Sequence, residues 1–142
     1  MEKINALGPD MVLIGGDSIE WSESELDALG PLSGLSAPDG VYAVLGNHDY
    51  GTWGCPTDPA LSDNVERKLE GMNITVLRNG NKVLEINGKK LALIGLDDEW
   101  VCRDDYANAS MGVGGPMPKI VLAHNQLAVN TGEVEGDRKS VV

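Results

Sequence analysis

The chain predicts an α/β fold, and three observations carry that expectation. Met11–Ile14, Val41–Leu45 and Lys119–Ala123 are short apolar runs without polar alternation. Runs of that kind suit strands covered on both faces, as in a sheet packed beneath helices. Between the first two, Glu23 to Leu35 carries Leu26, Leu29 and Leu32 at three-residue steps behind Ser22, a good helix N-cap. Strand, helix and strand over this distance make a right-handed βαβ unit the default connection.

The other elements follow along the chain. Glu2–Leu7 reads as the last turns of a helix stopped at Gly8-Pro9. Gly30-Pro31 must shorten or interrupt the crossover helix, because proline has no amide proton and its ring clashes with the preceding turn. Asp63–Leu69 reads as a short helix ended by Gly71. Ile74–Leu77, Lys82–Ile86 and Leu91–Leu96 are strand-like and are separated by Asn79-Gly80 and Asn87-Gly88. Asn-Gly takes positive φ at low cost, so both pairs are expected to close tight hairpins. Gly112–Pro118 is a loop ahead of the last apolar run, and Glu133–Val142 is polar and aperiodic. We expect one domain over residues 1–126 and an irregular tail over 127–142.

Composition narrows the function classes. A chain of 142 residues is about one domain long, and 42% hydrophobic against 23% charged residues is globular rather than disordered. No apolar run approaches the roughly 20 residues of a membrane-spanning helix. Met1–Pro9 lacks a basic segment followed by an apolar one, so no signal peptide is expected. The net charge of −11 repels phosphate backbones, so binding to a nucleic-acid duplex is not expected. Cys55 and Cys102 have no C-x-x-C spacing and are expected as free thiols in a reducing cytoplasm, with a disulfide the lesser reading.

Three motifs follow predicted strands: Gly16-Asp17, Gly46-Asn47-His48-Asp49 and His124-Asn125. The C-terminal ends of strands form the ligand crevice of an open α/β sheet, so the motifs are expected to converge. Asp17 offers a carboxylate, Asn47 an amide oxygen and His124 an imidazole nitrogen, a set suited to Mn, Fe or Zn more than to Ca. His48 is placed to protonate a departing alkoxide or contact a phosphoryl oxygen, and Asp49 to orient the imidazole. Taken singly, each of these residues has an ordinary structural role in a turn or core. Gly-Asn-His-Asp is the most specific of the three motifs.

Pro9–Asp17, Gly40–Asp49 and Ile120–Asn125 resemble three of the five blocks of the calcineurin-like metallophosphoesterase family. The stretch from Leu77-Arg78-Asn79 to Gly95-Leu96-Asp97-Asp98 is similar to the connecting hairpins of its small bacterial phosphodiesterase branch. The resemblance spans residues 2–126 and implies a partial layered αββα sandwich with mixed sheets. It implies that Asp17 bridges two divalent ions, that Asn47 and His124 hold the second, and that His48 and Asp49 are catalytic. It further implies hydrolysis of phosphomonoesters or phosphodiesters, on a small-molecule or lipid-linked substrate, by in-line attack of a metal-activated water. The family's Asp-x-His before Leu7 and Gly-His-x-His after His124 have no counterpart here, and His48 and His124 are the chain's 2 histidines. We therefore expect a piece truncated at both ends that holds at most one ion well and turns over poorly. A longer parent with membrane attachment is left open. The alternative is a non-catalytic metal-binding or interaction fragment; a thiol enzyme built on Cys55 has little support, as that residue has no basic neighbour.

Two further features stay open at this point. Trp21 and Trp53 either line a substrate mouth or cover a core edge. Asp97-Asp98-Glu99 reads as a solvated acidic loop.

Overall fold

Alternate residues of the apolar runs serve two different cores, and that alternation divides the chain into layers. A computed structural model describes residues 1–55, 58–129 and 140–141. The first sheet consists of β1 (Val12–Ile14), β2 (Val41–Ala43) and β3 (Thr75–Val76), all parallel, in the order β1-β2-β3. The second consists of β4 (Gly80–Ile86), β5 (Lys89–Gly95), β6 (Lys119–Leu122) and β7 (Ser140–Val141). In it β4 and β5 are antiparallel, whereas β5 with β6 and β6 with β7 are parallel, so the sheet is mixed.

Val41, Ala43 and Leu45 point outward from β2 and pack with Leu29, Val65 and Leu69. Tyr42 and Val44 point inward and pack with Leu77, Leu93 and Leu122 between the sheets. On the second sheet Ile94 and Val121 face away from that seam and pack with Ala109. The helices that supply the outer partners are α2 (Ala60–Glu70) and α3 (Tyr106–Ala109); α1 (Glu2–Asn5) is a single exposed turn. The result is the expected αββα sandwich. Gly95 lies at its seam, where an added Cβ would fall 2.2 Å from the Leu77 Cβ and 3.1 Å from Val44 Cγ1. Contacts that short are not available to any side chain, so glycine here lets the sheets close.

The predicted crossover helix at Glu23–Gly34 exists, but as 3-10 turns rather than α-helix. Pro31 inside it removes an amide donor, which the tighter, irregular winding tolerates better than a continuous i→i−4 ladder. Its start is as predicted: the Ser24 amide donates to Ser22 Oγ at 3.3 Å and the Ser22 amide to Glu25 Oε2 at 3.0 Å, a capping box.

Two turn expectations separate. Asn87 and Gly88 take φ of 51° and 74° and close the β4–β5 hairpin, with Ile86 opposite Lys89. Asn79-Gly80 does not close a hairpin: β3 pairs with β2 in one sheet and β4 with β5 in the other. Asn79 does take positive φ, 48°, but its side chain receives the amides of Asp97 and Asp105, so it pins the chain as it changes sheet. The dipeptide's local preference is met; which strands pair was decided by burial at the seam.

The cysteines also differ from expectation. Cys55 and Cys102 form a disulfide with a Cα–Cα distance of 5.7 Å across a sequence separation of 47. Spacing in sequence conceals this pairing, because it is made by two loops that meet only in the folded chain. Within the tail expected to be irregular, Gln126–Val129 forms a 3-10 turn and Ser140–Val141 a strand; residues 130–139 and 142 lie outside the described residues. Among the described residues no helix is long and apolar enough to cross a membrane.

Candidate metal centre

Each predicted motif sits just past a strand, and the strands come from both sheets. β1 runs into Gly16 and Asp17, with φ of 94° and 51°. β2 leads through Gly46 into a 3-10 turn, Asn47–Tyr50, and β6 runs into His124. Asp17 is the meeting point. Its Oδ2 lies 3.3 Å from His124 Nε2 and 4.0 Å from His48 Nε2, and its Oδ1 accepts the His48 amide at 3.1 Å.

Two glycines make this approach possible. A Cβ on Gly46 would lie 2.2 Å from Asp17 Oδ1 and 2.8 Å from His124 Cγ; one on Gly16 would lie 2.8 Å from His124 Nδ1. The sequence pattern marked Gly46 as part of a motif, and the structure gives the reason: carboxylate and imidazole close over its bare Cα.

The tautomer of His124 follows from its partner. Nδ1 is 2.7 Å from the Gly15 carbonyl, an acceptor only, so Nδ1 carries the proton and donates it. Nε2 then turns a lone pair toward the Asp17 carboxylate. Two acceptors 3.3 Å apart are spaced as two ligands of one cation would be. Asn47, 1% exposed, follows Gly46 directly, and its amide Nδ2 has no hydrogen-bond partner. The orphaned Nδ2 is a donor and calls for an acceptor; a metal ion would be met by Oδ1 of the same amide. Carboxylate, imidazole and amide oxygen are each donor types that a divalent ion takes. Among the described residues no group of three His, Cys, Asp or Glu side chains is placed to hold a metal.

His48 and Asp49 are placed differently from one another. The His48 ring stacks on Trp21, with centroids 3.9 Å apart and planes 29° apart. Asp49, 0% exposed, turns to backbone: Oδ1 accepts the amides of Ser18 at 2.8 Å and Ile19 at 3.1 Å, and Oδ2 that of Gly46 at 2.9 Å. Those bonds fasten the loop after β1 to the loop after β2. Burial pushes the carboxyl up to about 6, with the three amides pulling the other way. Trp21, rather than Asp49, contacts the His48 ring.

The acidic stretch after β5 is not a solvated loop. Asp97 and Asp98 are 3% and 1% exposed. Asp97 accepts Tyr50 Oη at 2.6 Å and Arg78 Nε at 2.9 Å, and Arg78 also pairs with Asp63 and Glu66. Asp98 Oδ1 accepts the Trp100 amide at 2.9 Å, while Oδ2 has no partner. Burial pushes the Asp98 carboxyl up to about 6, partly offset by the field of His124, so Asp98 borders the centre. One sequence signal could have found it: like Asp17, Asp98 comes just after a long apolar strand run.

An αββα sandwich whose strand ends bring Asp17, His48 and His124 together defines an α/β protein with a polar site at the strand ends. The family model of the calcineurin-like phosphoesterases matches residues 1–139, and the chain belongs to that family. It is 37% identical to F40B5.2 of Caenorhabditis elegans over 135 residues, covering 87% of this chain and 26% of that protein. It is 30% identical to the metallophosphoesterase YkuE of Bacillus subtilis over 125 residues, covering 85% of this chain and 41% of the relative. A shorter stretch of 53 residues, 36% of this chain and 16% of the relative, is 43% identical to the UDP-2,3-diacylglucosamine pyrophosphatase LpxG of Chlamydia muridarum. The chain thus spans well under half the length of these relatives.

Proposed function

We propose that this chain carries the divalent-metal half-site and the general acid of a phosphoester hydrolase. The observation that supports it most is the 3.3 Å approach of Asp17 and His124, made from opposite sheets over the bare Cα of Gly46. When bound, a divalent ion such as Mn, Fe or Zn supplies positive charge that activates water and offsets the charge developing on the phosphoryl oxygens. Asp17, His124 and Asn47 would hold it, with the Gly15 carbonyl fixing the His124 tautomer.

The chain's own residues carry the rest. His48 donates a proton to the departing alkoxide, the charge change that limits cleavage of a poor leaving group. Trp21 fixes the plane of its ring. Asp49 acts as a positioning residue: it holds Gly46 and the Ser18–Ile19 turn so that the motifs stay in register. The substrate is a small phosphomonoester or phosphodiester; the match to LpxG adds a lipid-linked ester as a candidate. The disulfide is chemistry of an oxidising compartment and weighs against the cytoplasmic location expected from the sequence.

A second reading, a metal-binding fragment without turnover, is favoured by one observation. Among the described residues no three His, Cys, Asp or Glu side chains are grouped to hold a metal, whereas in-line phosphoryl transfer commonly uses two ions. Hydrolysis of bis-p-nitrophenyl phosphate with added Mn²⁺ separates the two. We expect metal-dependent release of p-nitrophenol, a good leaving group, and a roughly hundredfold loss in His48→Ala on glycerol 2-phosphate, whose departing alkoxide needs a proton, while Mn²⁺ binding measured by calorimetry survives. Equal rates for the two proteins would remove His48 from the chemistry; binding without turnover in either would select the second reading.

A further inference from the structure

The chain has 3 tryptophans and no phenylalanine, and all three tryptophans lie together. Trp21 stacks on His48, Trp53 lies 5.5 Å from Trp21 and 6.0 Å from His48, and Trp100 lies 5.0 Å from Trp53, centroid to centroid. The array runs from the general acid around to the far side of the centre, where Trp100 lines a depression together with His124 and Asn125. None of the three belongs to a core cluster among the described residues. Trp53 is 59% and Trp100 42% exposed, so covering a core edge does not account for them.

The loops that carry the rings are fastened. The Trp21 amide donates to Glu25 Oε2 at 2.9 Å and the Trp100 amide to Asp98 Oδ1 at 2.9 Å. The disulfide closes two residues beyond Trp53 and two beyond Trp100, fastening their loops together. Exposed, pre-positioned indole faces beside a proton donor are what a flat leaving group needs, because they cost little ordering on binding.

Resting on the phosphoesterase reading above, we propose that Trp21, Trp53 and Trp100 form the subsite for the alcohol side of the ester, and that it selects a planar ring there. A ring on the departing oxygen would slide against Trp53 with that oxygen near His48. Trp53 and Trp100 are open to solvent and the three indoles follow one another at 5.0–5.5 Å, which suits a flat ring better than an acyl chain, whose long flexible surface gains from enclosure. A lone aryl group and a nucleobase share this chemistry.

All the intrinsic tryptophan fluorescence comes from the array, so the subsite reports on itself. The 142-residue chain with Zn²⁺ is titrated with methyl-, phenyl-, hexyl- and 5′-adenosyl-phosphonates, following emission. We expect the two ring-bearing ligands to bind at least about fivefold tighter than the methyl compound, as single-ring stacking allows, and tighter than the hexyl one. Trp53→Leu should abolish the preference and Trp53→Phe retain it; Trp53 is exposed, so neither exchange empties the core. Equal affinity for phenyl and methyl, or for phenyl and hexyl, overturns the ring preference even where p-nitrophenyl phosphodiesters are cleaved. An intact ring preference without any metal-dependent cleavage strikes at the phosphoesterase reading alone. Phenyl binding without adenosyl binding assigns the subsite to small aryl groups.

Discussion

At the residue scale, the site depends on atoms that are absent as much as on those present. Gly46→Ala would drive a methyl group into the Asp17 carboxylate, 2.2 Å away. We expect it to weaken Mn²⁺ binding severely and to cost about 1–3 kcal/mol of stability in urea unfolding, as overpacking does. Asp98 gives a test with the opposite character. Its carboxyl is raised to about 6 from an ordinary 3.8, so its neutral form is favoured in the folded chain. The sign follows: the stability this provides is fully present below about pH 4 and is lost as the pH rises through 6. In metal-free protein, Asp98→Asn should therefore flatten the fall in stability between pH 4 and pH 6; an unchanged profile would remove Asp98 as its source. Sequence singled out Asp17, Asn47, His48 and His124 because ligand chemistry and strand-end position coincide in them, and the structure brings Asp17, His48 and His124 together. Sequence hid Asp98, since three acids in a row read as surface until their burial is known, and it misled on Asp49, whose carboxylate serves backbone amides that no pattern displays.

At the element scale, period and turn chemistry were legible and pairing was not. The apolar runs located β1, β2, β5 and β6, and Asn87-Gly88 located a hairpin, since each depends on local preference. Asn79-Gly80 shows the limit: the same dipeptide, with the same positive φ, carries the chain between sheets because β3 finds its partner in β2. The disulfide belongs to this scale also. It links the loop after the Asn47–Tyr50 turn to the one after the 3-10 turn Glu99–Val101. Closing a separation of 47 residues stabilises by roughly 4 kcal/mol on chain-entropy grounds. We expect dithiothreitol, or the double Cys55→Ser and Cys102→Ser variant, to lower the urea midpoint accordingly and to red-shift tryptophan emission as Trp53 and Trp100 part. A midpoint indifferent to reductant would mean the thiols are unpaired in solution.

At the scale of the whole molecule, the layers are held by one polar hub as well as by apolar packing. Arg78, where the chain leaves β3 for the second sheet, reaches Asp63 and Glu66 on α2, Ser62 Oγ, and Asp97 beyond β5. Removing it strands Asp97, 3% exposed, without its cation. We expect Arg78→Leu to cost about 3–5 kcal/mol and Arg78→Lys to recover only part of that, because one ammonium cannot reach all the acceptors spread around a guanidinium fork. Urea unfolding of the three proteins decides it; near-equal stability would show that the hub contributes nothing net. The layer order itself was within reach of the sequence through the family resemblance, but not through apolar runs alone, which predict burial on both faces without saying whether helix or sheet does the covering.

Asp17 and Asn47 hang from the first sheet and His124 from the second, so an ion held by them would act as a rivet through the sandwich. Mn²⁺ would then raise the unfolding temperature, roughly with the logarithm of its free concentration once that exceeds Kd. Conversely, anything that props the halves apart loosens the rivet. A methyl group added at Gly95, remote from every ligand in sequence, would be felt first as a poorer grip on the ion.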